Sequence, residues 1–324
     1  MACRGAKVAE GFFYFVLPCL FGNLYFAAVE KSLFCNMIIL ENNTIRATIS
    51  PKGAELQSLF NKTTTIEHMW SGDAAYWGKH SPVLFPIVGG LKKETYYFNN
   101  AAYNLPRHGF ARDKTFAAEK INDTEAVFTL TQDEQSLKVY PFAFTLQLRY
   151  VLNEHSLSCT YQVYNPGKEA LLFAIGGHPA FAVPFIKNTI YTDYFLQFNK
   201  SETLHRWKLE DGLIASHSEL MPVVNNVLPL HPSLFYEDAI VLKDMQSNSI
   251  TLGCNKSNHG IHFTFNDFPF FGIWAAKDAH FVCLEPWCGI ADSVTHDQQL
   301  KDKEGINIVS PNEHWQRMWL VECF

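Results

Sequence analysis

The chain has 324 residues, 48% of them apolar and 15% aromatic, with a formal net charge of −6. That composition supports a sizeable core and excludes a disordered or collagen-like chain. Charge is spread without long blocks or a basic stripe, which argues against nucleic acid or an anionic membrane surface as a partner of the main domain and for a neutral or weakly charged small molecule.

At the N-terminus, residues 11–29 form a strongly apolar run after Arg4 and Lys7. Three readings of residues 1–36 stay open: a signal peptide or short membrane anchor, a packed structural segment, or sequence translated from upstream of a natural start at Met37. Pro18, Gly22 and Asn23 interrupt the run, and Phe26 and Ala28 make a poor small-x-small cleavage site. The third reading is favoured, because residues 38–40 open directly into a strand pattern. The expected organisation is an N-terminal extension over 1–36 and one domain over 37–324.

From Met37 onward the hydrophobic period is two. Ile45, Ala47 and Ile49 alternate with Arg46 and Thr48 after an Asn42-Asn43 turn. Short strands are predicted at 126–131, 142–150, 157–163, 170–175, 239–242, 249–252, 261–265, 271–275, 281–285 and 316–321, each rich in β-branched or aromatic residues. Helix is predicted only as a turn or two around 74–77 and near 292–299. Many short strands with turn residues between them predict an all-β fold, a large antiparallel β-sandwich.

Cysteines number eight, with no C-x-x-C pair and an odd five in the main body. They read as buried reduced thiols, which favours a reducing, cytoplasmic location. None of the zinc spacings occurs.

Three segments place a titratable side chain beside Gly or Pro at a strand end: Arg107-His108-Gly109-Phe110-Ala111-Arg112, Gly176-Gly177-His178-Pro179-Ala180-Phe181 and Leu284-Glu285-Pro286-Trp287-Cys288-Gly289. Such positions are rigid yet reachable by a ligand. Taken singly, each has a bland alternative. A lone histidine is usually a hydrogen-bonded structural residue, Glu285 could sit in a salt bridge, Trp287 could fill the core, and Arg107 and Arg112 could pair with surface acids.

Taken together the segments resemble the aldose 1-epimerase family of the galactose-mutarotase-like β-supersandwich superfamily, in the branch typified by proteins encoded in lactose operons. The resemblance runs over residues 37–324 and includes Ser50-Pro51-Lys52-Gly53-Ala54-Glu55-Leu56, Pro82-Val83-Leu84-Phe85-Pro86-Ile87-Val88-Gly89 and Lys303-Glu304-Gly305-Ile306. It implies a mutarotase that interconverts the anomers of a free hexose without metal or organic cofactor, as a monomer or homodimer. It implies Glu285 as general base, His178 as general acid, His108 as a hydrogen-bond partner of the sugar that helps position the ring oxygen, Asp238 as a hydroxyl contact and Arg107 as a further sugar contact, with Trp287 available to stack on a sugar face. The ordinary values, about 4.3 for Glu and about 6.5 for His, then stand in the right order, and a nearby carboxylate is expected to raise His178 a little. The expected pH profile is a bell with Glu285 on the acid limb and His178 on the alkaline limb.

One segment departs from the family. Val88-Gly89-Gly90-Leu91-Lys92-Lys93 stands where galactose mutarotases carry an Arg-Phe-Ala-Asn-Arg-type stretch, so galactose and glucose both remain open as substrate. Two alternatives follow: a hexose-6-phosphate 1-epimerase, which needs two of Arg107, Arg112, Lys92 and Lys93 to converge on phosphate, or a non-catalytic sugar-binding protein. An accessory sandwich of a glycoside hydrolase would have no reason to carry the His/Glu pair.

Overall fold

The computed structural model describes residues Met37–Phe324; the three readings of residues 1–36 lie outside the described residues. Two large sheets dominate, and every ladder pairing in them is antiparallel. A nine-stranded sheet has at its centre Ser257–Thr264, His314–Cys323, Ser156–Tyr164 and Thr145–Asn153. An eight-stranded sheet runs from Leu213–Leu220 through His205–Glu210, Ile240–Lys243, Phe270–Trp274 and Phe281–Cys288 to Ile175–Gly177 and Val83–Leu84, with Ala180–Ala182 as the eighth strand beside Phe281–Cys288.

The sheets face each other across one aromatic core. Phe263 of the larger sheet, packed on Trp319 beside it, meets Phe181 and Phe271 of the smaller, with its ring centroid 5.7 Å from Phe181 and 6.4 Å from Phe271. Alternation explains the larger sheet. Thr145–Asn153 and Ser156–Tyr164 bury every second residue and pair in register over their full length, as period-two sequences do when one face is packed. The smaller sheet is covered on both faces at Phe281–Cys288, where all eight residues are buried.

The α-helix is Glu134–Val139, which the sequence reading did not predict. Six residues are too few to show a 3.6 period. Its signal is a capping box, in which the Asp133 carboxylate accepts from the Ser136 N–H and the Ser136 hydroxyl accepts from the Asp133 N–H. Residues 74–76 form a turn rather than a helix, and a 3-10 turn at Leu300–Asp302 follows the second predicted segment. No helix among the described residues is long and apolar enough to cross a membrane. The five cysteines described are free and buried.

Candidate active site

The site is organised by one strand, Phe281–Cys288, and by a break in the chain that pairs with it. Ile175–Gly177 and Ala180–Ala182 both pair with that strand, on the same side. Gly176 lies opposite Trp287 and Ala180 opposite Cys283. The register is therefore unbroken across the gap, and His178 falls opposite Glu285. Leu284 N–H donates to the Pro179 carbonyl within the gap at 3.1 Å. Directly opposed residues on one face have Cβ atoms about 5 Å apart, and His178 Nε2 stands 3.3 Å from Glu285 Oε2. The two are close without hydrogen-bond alignment, since Oε2 has no such partner.

Glycines make the room. On the far side of Phe281–Cys288, Gly272 is the Cα partner of Glu285. A Cβ on Gly272 would stand 2.4 Å from the Trp287 ring, and one on Gly176 would stand 2.5 Å from it. The Trp287 indole thus lies across the backbone of both neighbouring strands and lines the pocket with its free side.

His108 is fastened differently. It sits at φ 70°, followed by Gly109 at φ 69°. Its backbone N–H donates to the Gly89 carbonyl at 2.9 Å, and its Nδ1 accepts from the Gly89 N–H at 3.1 Å. An accepting Nδ1 fixes the neutral tautomer with the proton on Nε2. His178 is held by stacking on Trp77, with ring centroids 4.9 Å apart, and by the edges of Trp274 and His108.

Asp238 lies on a loop pinned by buried Arg206, which donates to the carbonyls of Glu237 and Asp238. The Asp238 carboxylate accepts from the Ala239 N–H at 2.7 Å and lines the pocket. Arg107 and Arg112 line it too, and Arg112 also donates to the Arg107 carbonyl at 2.9 Å. Lys92 turns elsewhere. Its Nζ donates to the His296 carbonyl, and its backbone N–H to Asp292.

The enclosed volume is about 580 Å³, in the range of small-molecule sites. Four buried polar atoms around it have no hydrogen-bond partner: His178 Nδ1, Glu285 Oε2, Trp287 Nε1 and Arg112 Nε. The Trp287 N–H lies near enough to favour an ionised Glu285, though outside hydrogen-bond geometry.

All six site residues predicted from sequence, His178, Glu285, His108, Arg107, Asp238 and Trp287, border this one pocket. Trp77, Trp274 and the hairpin residues Leu209, Gly212 and Ile214 border it as well and were not predicted. The hairpin had a readable signal, Asp211-Gly212, at its turn.

The expected order of proton affinities is reversed. Burial holds Glu285 well above the usual carboxylate range, against the opposing pull of Arg107. Burial pushes His178 down to about 3, helped by the positive charges of Arg112 and Arg107. His108 is held well below its ordinary value by burial, with His178 and the two arginines adding to it. The modest upward shift expected for His178 is thus overturned, because burial disfavours the imidazolium and the neighbouring carboxyl, itself held protonated by burial, offers no charge to offset it. The site favours one shared proton, carried by the carboxyl beside a neutral imidazole.

Comparison with known proteins places these features in company. The aldose 1-epimerase family model matches residues 36–316. The chain is 33% identical over 288 residues to the plasmid LacX protein of Lactococcus lactis subsp. lactis, covering 85% of this chain and 95% of that protein. Two solved structures are similar in fold and sequence. One is a galactose mutarotase related enzyme from Lactobacillus acidophilus, at 33% identity and TM-score 0.85 over 89% of this chain and 97% of that one. The other is a galactose mutarotase-like protein from Lactobacillus casei, at 32% identity and TM-score 0.84 over 89% of this chain and all of that one.

Proposed function

Because the chain belongs to the aldose 1-epimerase family, we propose that it is a mutarotase, interconverting the α and β anomers of a free aldohexose with Glu285 and His178 as its proton-transfer pair. The observation that carries the reading is the facing of these two side chains, 3.3 Å apart in one pocket.

In the proposed cycle the Glu285 carboxylate takes the C1 hydroxyl proton while the His178 imidazolium protonates the ring oxygen. The C1–O5 bond breaks, C1 becomes an aldehyde carbon, and the pair is left as carboxylic acid and neutral imidazole. After rotation about the C1–C2 bond both transfers run backwards on the other face. No proton is gained or lost over a turnover.

The neutral form of the pair, favoured by burial, is the form that accompanies the open-chain sugar. It is also the resting form, so each turnover begins by moving the proton from Glu285 to His178 before the ring opens. Arg107 and the Trp287 N–H oppose burial at Glu285, keeping the ion-pair form within reach for the first transfer. His108, a fixed Nε2–H donor, positions the ring oxygen. Asp238 and Arg107 hold hydroxyls, and the Trp287 face packs against the apolar side of the pyranose.

Polarimetry of freshly dissolved α-D-glucose and α-D-galactose tests the reading. Wild type should speed the drift to equilibrium for at least one sugar and Glu285→Gln should not. Equal rates for the two proteins would remove Glu285 from the chemistry.

A second reading is favoured by Arg107 and Arg112 sharing the pocket, where two guanidinium groups suit a phosphate. On it, a hexose 6-phosphate is turned over faster than the free sugar, and Arg112→Gln removes that preference alone.

A further inference from the structure

We propose that His178, Cys283 and Glu285 together form a binding site for a soft divalent cation such as Zn2+, and that its occupation disables the proton-transfer pair. Cys283 has no part in the proton steps above, yet strand geometry delivers it to them. It lies two residues before Glu285 on Phe281–Cys288, so both side chains leave the same face. Its Cα partner is Ala180, two residues after His178.

One ligand atom from each residue, nitrogen, sulfur and oxygen, lies within 4.8 Å of the other two. Among the described residues this is the one such group of three. Zinc bonds of about 2.0 Å to N and O and about 2.3 Å to S set ligand–ligand edges of about 3.3–3.6 Å in a tetrahedron. The His178 Nε2 to Glu285 Oε2 distance of 3.3 Å already has that length. The remaining edges, within 4.8 Å, need to close by at most about 1.5 Å, which small side-chain rotations supply.

The donor set selects the ion. Imidazole, thiolate and carboxylate suit Zn2+, Cd2+ or Co2+ and not Mg2+ or Ca2+. Three protein ligands leave a fourth position for water or a sugar hydroxyl on the pocket side. Glu285 Oε2, buried and without a hydrogen-bond partner, supplies an independent sign that the site is built to be bonded from that side.

Charge also balances. Binding releases the thiol proton and the single proton of the pair, so that thiolate, carboxylate and a dipositive ion leave no net charge in a buried place. With both members of the pair ligated, neither can carry a proton to the sugar. Nothing is oxidised or reduced, and a chelator reverses the step.

The metal-binding part of the proposal stands whether or not the protein is a mutarotase; the inhibition part rests on that reading. The first test is therefore spectroscopic. Titration of the metal-free full chain with Co2+ should give a thiolate-to-cobalt charge-transfer band and the visible bands of a tetrahedral ion, saturating at one equivalent. The charge-transfer band should be missing from Cys283→Ser and from Cys283→Ala, two variants that guard against a folding defect in either. Cysteines elsewhere in the chain are controlled by the same comparison. A band that persists in both variants, or no band in wild type, overturns the site.

The second test adds Zn2+ during sugar mutarotation. Wild type should slow at least tenfold and recover with EDTA, while the Cys283 variants keep their basal rate and need at least tenfold more Zn2+. Equal sensitivity of wild type and variants overturns the inhibition. If no sugar is turned over at all, the mutarotase reading fails and the cobalt result still decides the site.

Discussion

His108 and His178 stand edge to face, their ring centroids 5.9 Å apart, yet the chain holds them in contrasting ways. The left-handed turn at His108 commits one ring nitrogen to the Gly89 N–H. Protonating that nitrogen would break the bond, so His108 stays a neutral donor through Nε2. The strand break at His178 commits neither nitrogen to the backbone of another residue. Its ring is set by flat contact with Trp77 and by the cross-strand register with Glu285. A proton can come and go there without dismantling a turn. Which histidine carries a proton and which only points one is decided by what the second ring nitrogen touches.

The largest expected effect tests the mobile member. His178→Asn and Glu285→Gln should each lower the mutarotation rate by about 10²–10⁴-fold, the usual range for a lost acid or base, with sugar affinity retained. A loss under tenfold in either would dissolve the pair. Next is the pH profile. Since burial pushes His178 down and Glu285 up, the singly protonated pair should persist over a broad plateau. The acid limb then follows His178 and the alkaline limb Glu285, the reverse of what ordinary values give, and both limbs belong to the coupled pair. An alkaline limb at the ordinary histidine value would cut the rate about 25-fold between pH 6 and pH 8; with Glu285 held up and His178 held down, the fall should be smaller than that. A steep fall between those two pH values would reject the reversal.

The fixed member should respond more weakly and in another parameter. His108→Asn keeps a residue that tolerates positive φ and loses the ring donor. KM should rise about tenfold, the value of one good hydrogen bond to substrate, with kcat little changed. If kcat collapsed and KM did not, the two histidines would have to exchange roles.

The scaffold was far more legible than this contrast. Alternation in 142–150 and 157–163 marked two central strands, because one face of each is packed and the other is not. At the site that signal disappears: Phe281–Cys288 is buried on both faces, and it continues through Pro286, where a sequence reading stops. The resemblance identified His178, Glu285 and His108 as a group, and the structure brings them to one pocket. What no local pattern carries is the register that sets His178 opposite Glu285, since it depends on pairing between distant segments. Trp77 and Trp274 were unremarkable in sequence because only stacking on His178 singles them out. The proton-affinity reversal was unreadable for the same reason: it is caused by burial, and burial of a carboxylate is a property of the closed sheet.

The smallest expected effect concerns stability and separates the two regions once more. Glu285 binds its proton more tightly in the folded protein than in the unfolded chain, where its value is about 4.3. Above that pH this one site holds more proton in the folded than in the unfolded state. The Glu285 contribution to stability therefore falls as pH rises, by at most about 1.4 kcal/mol per pH unit. His178, pushed down to about 3, contributes the opposite slope below the ordinary histidine value. Glu285→Gln removes the carboxyl's slope while keeping the shape. The variant should therefore melt higher than wild type, with a gap that is absent near pH 4 and widens as pH rises. His108→Asn should show no such gain, because it gives up the bond from Gly89 and melts lower at neutral pH, by about 1 kcal/mol in stability. Calorimetry of the three proteins at pH 5, 6.5 and 8 reads both signs. An inactive Glu285→Gln that melts below wild type at pH 8 would mean that the carboxylate is satisfied in the folded protein, and that burial does not set its proton affinity.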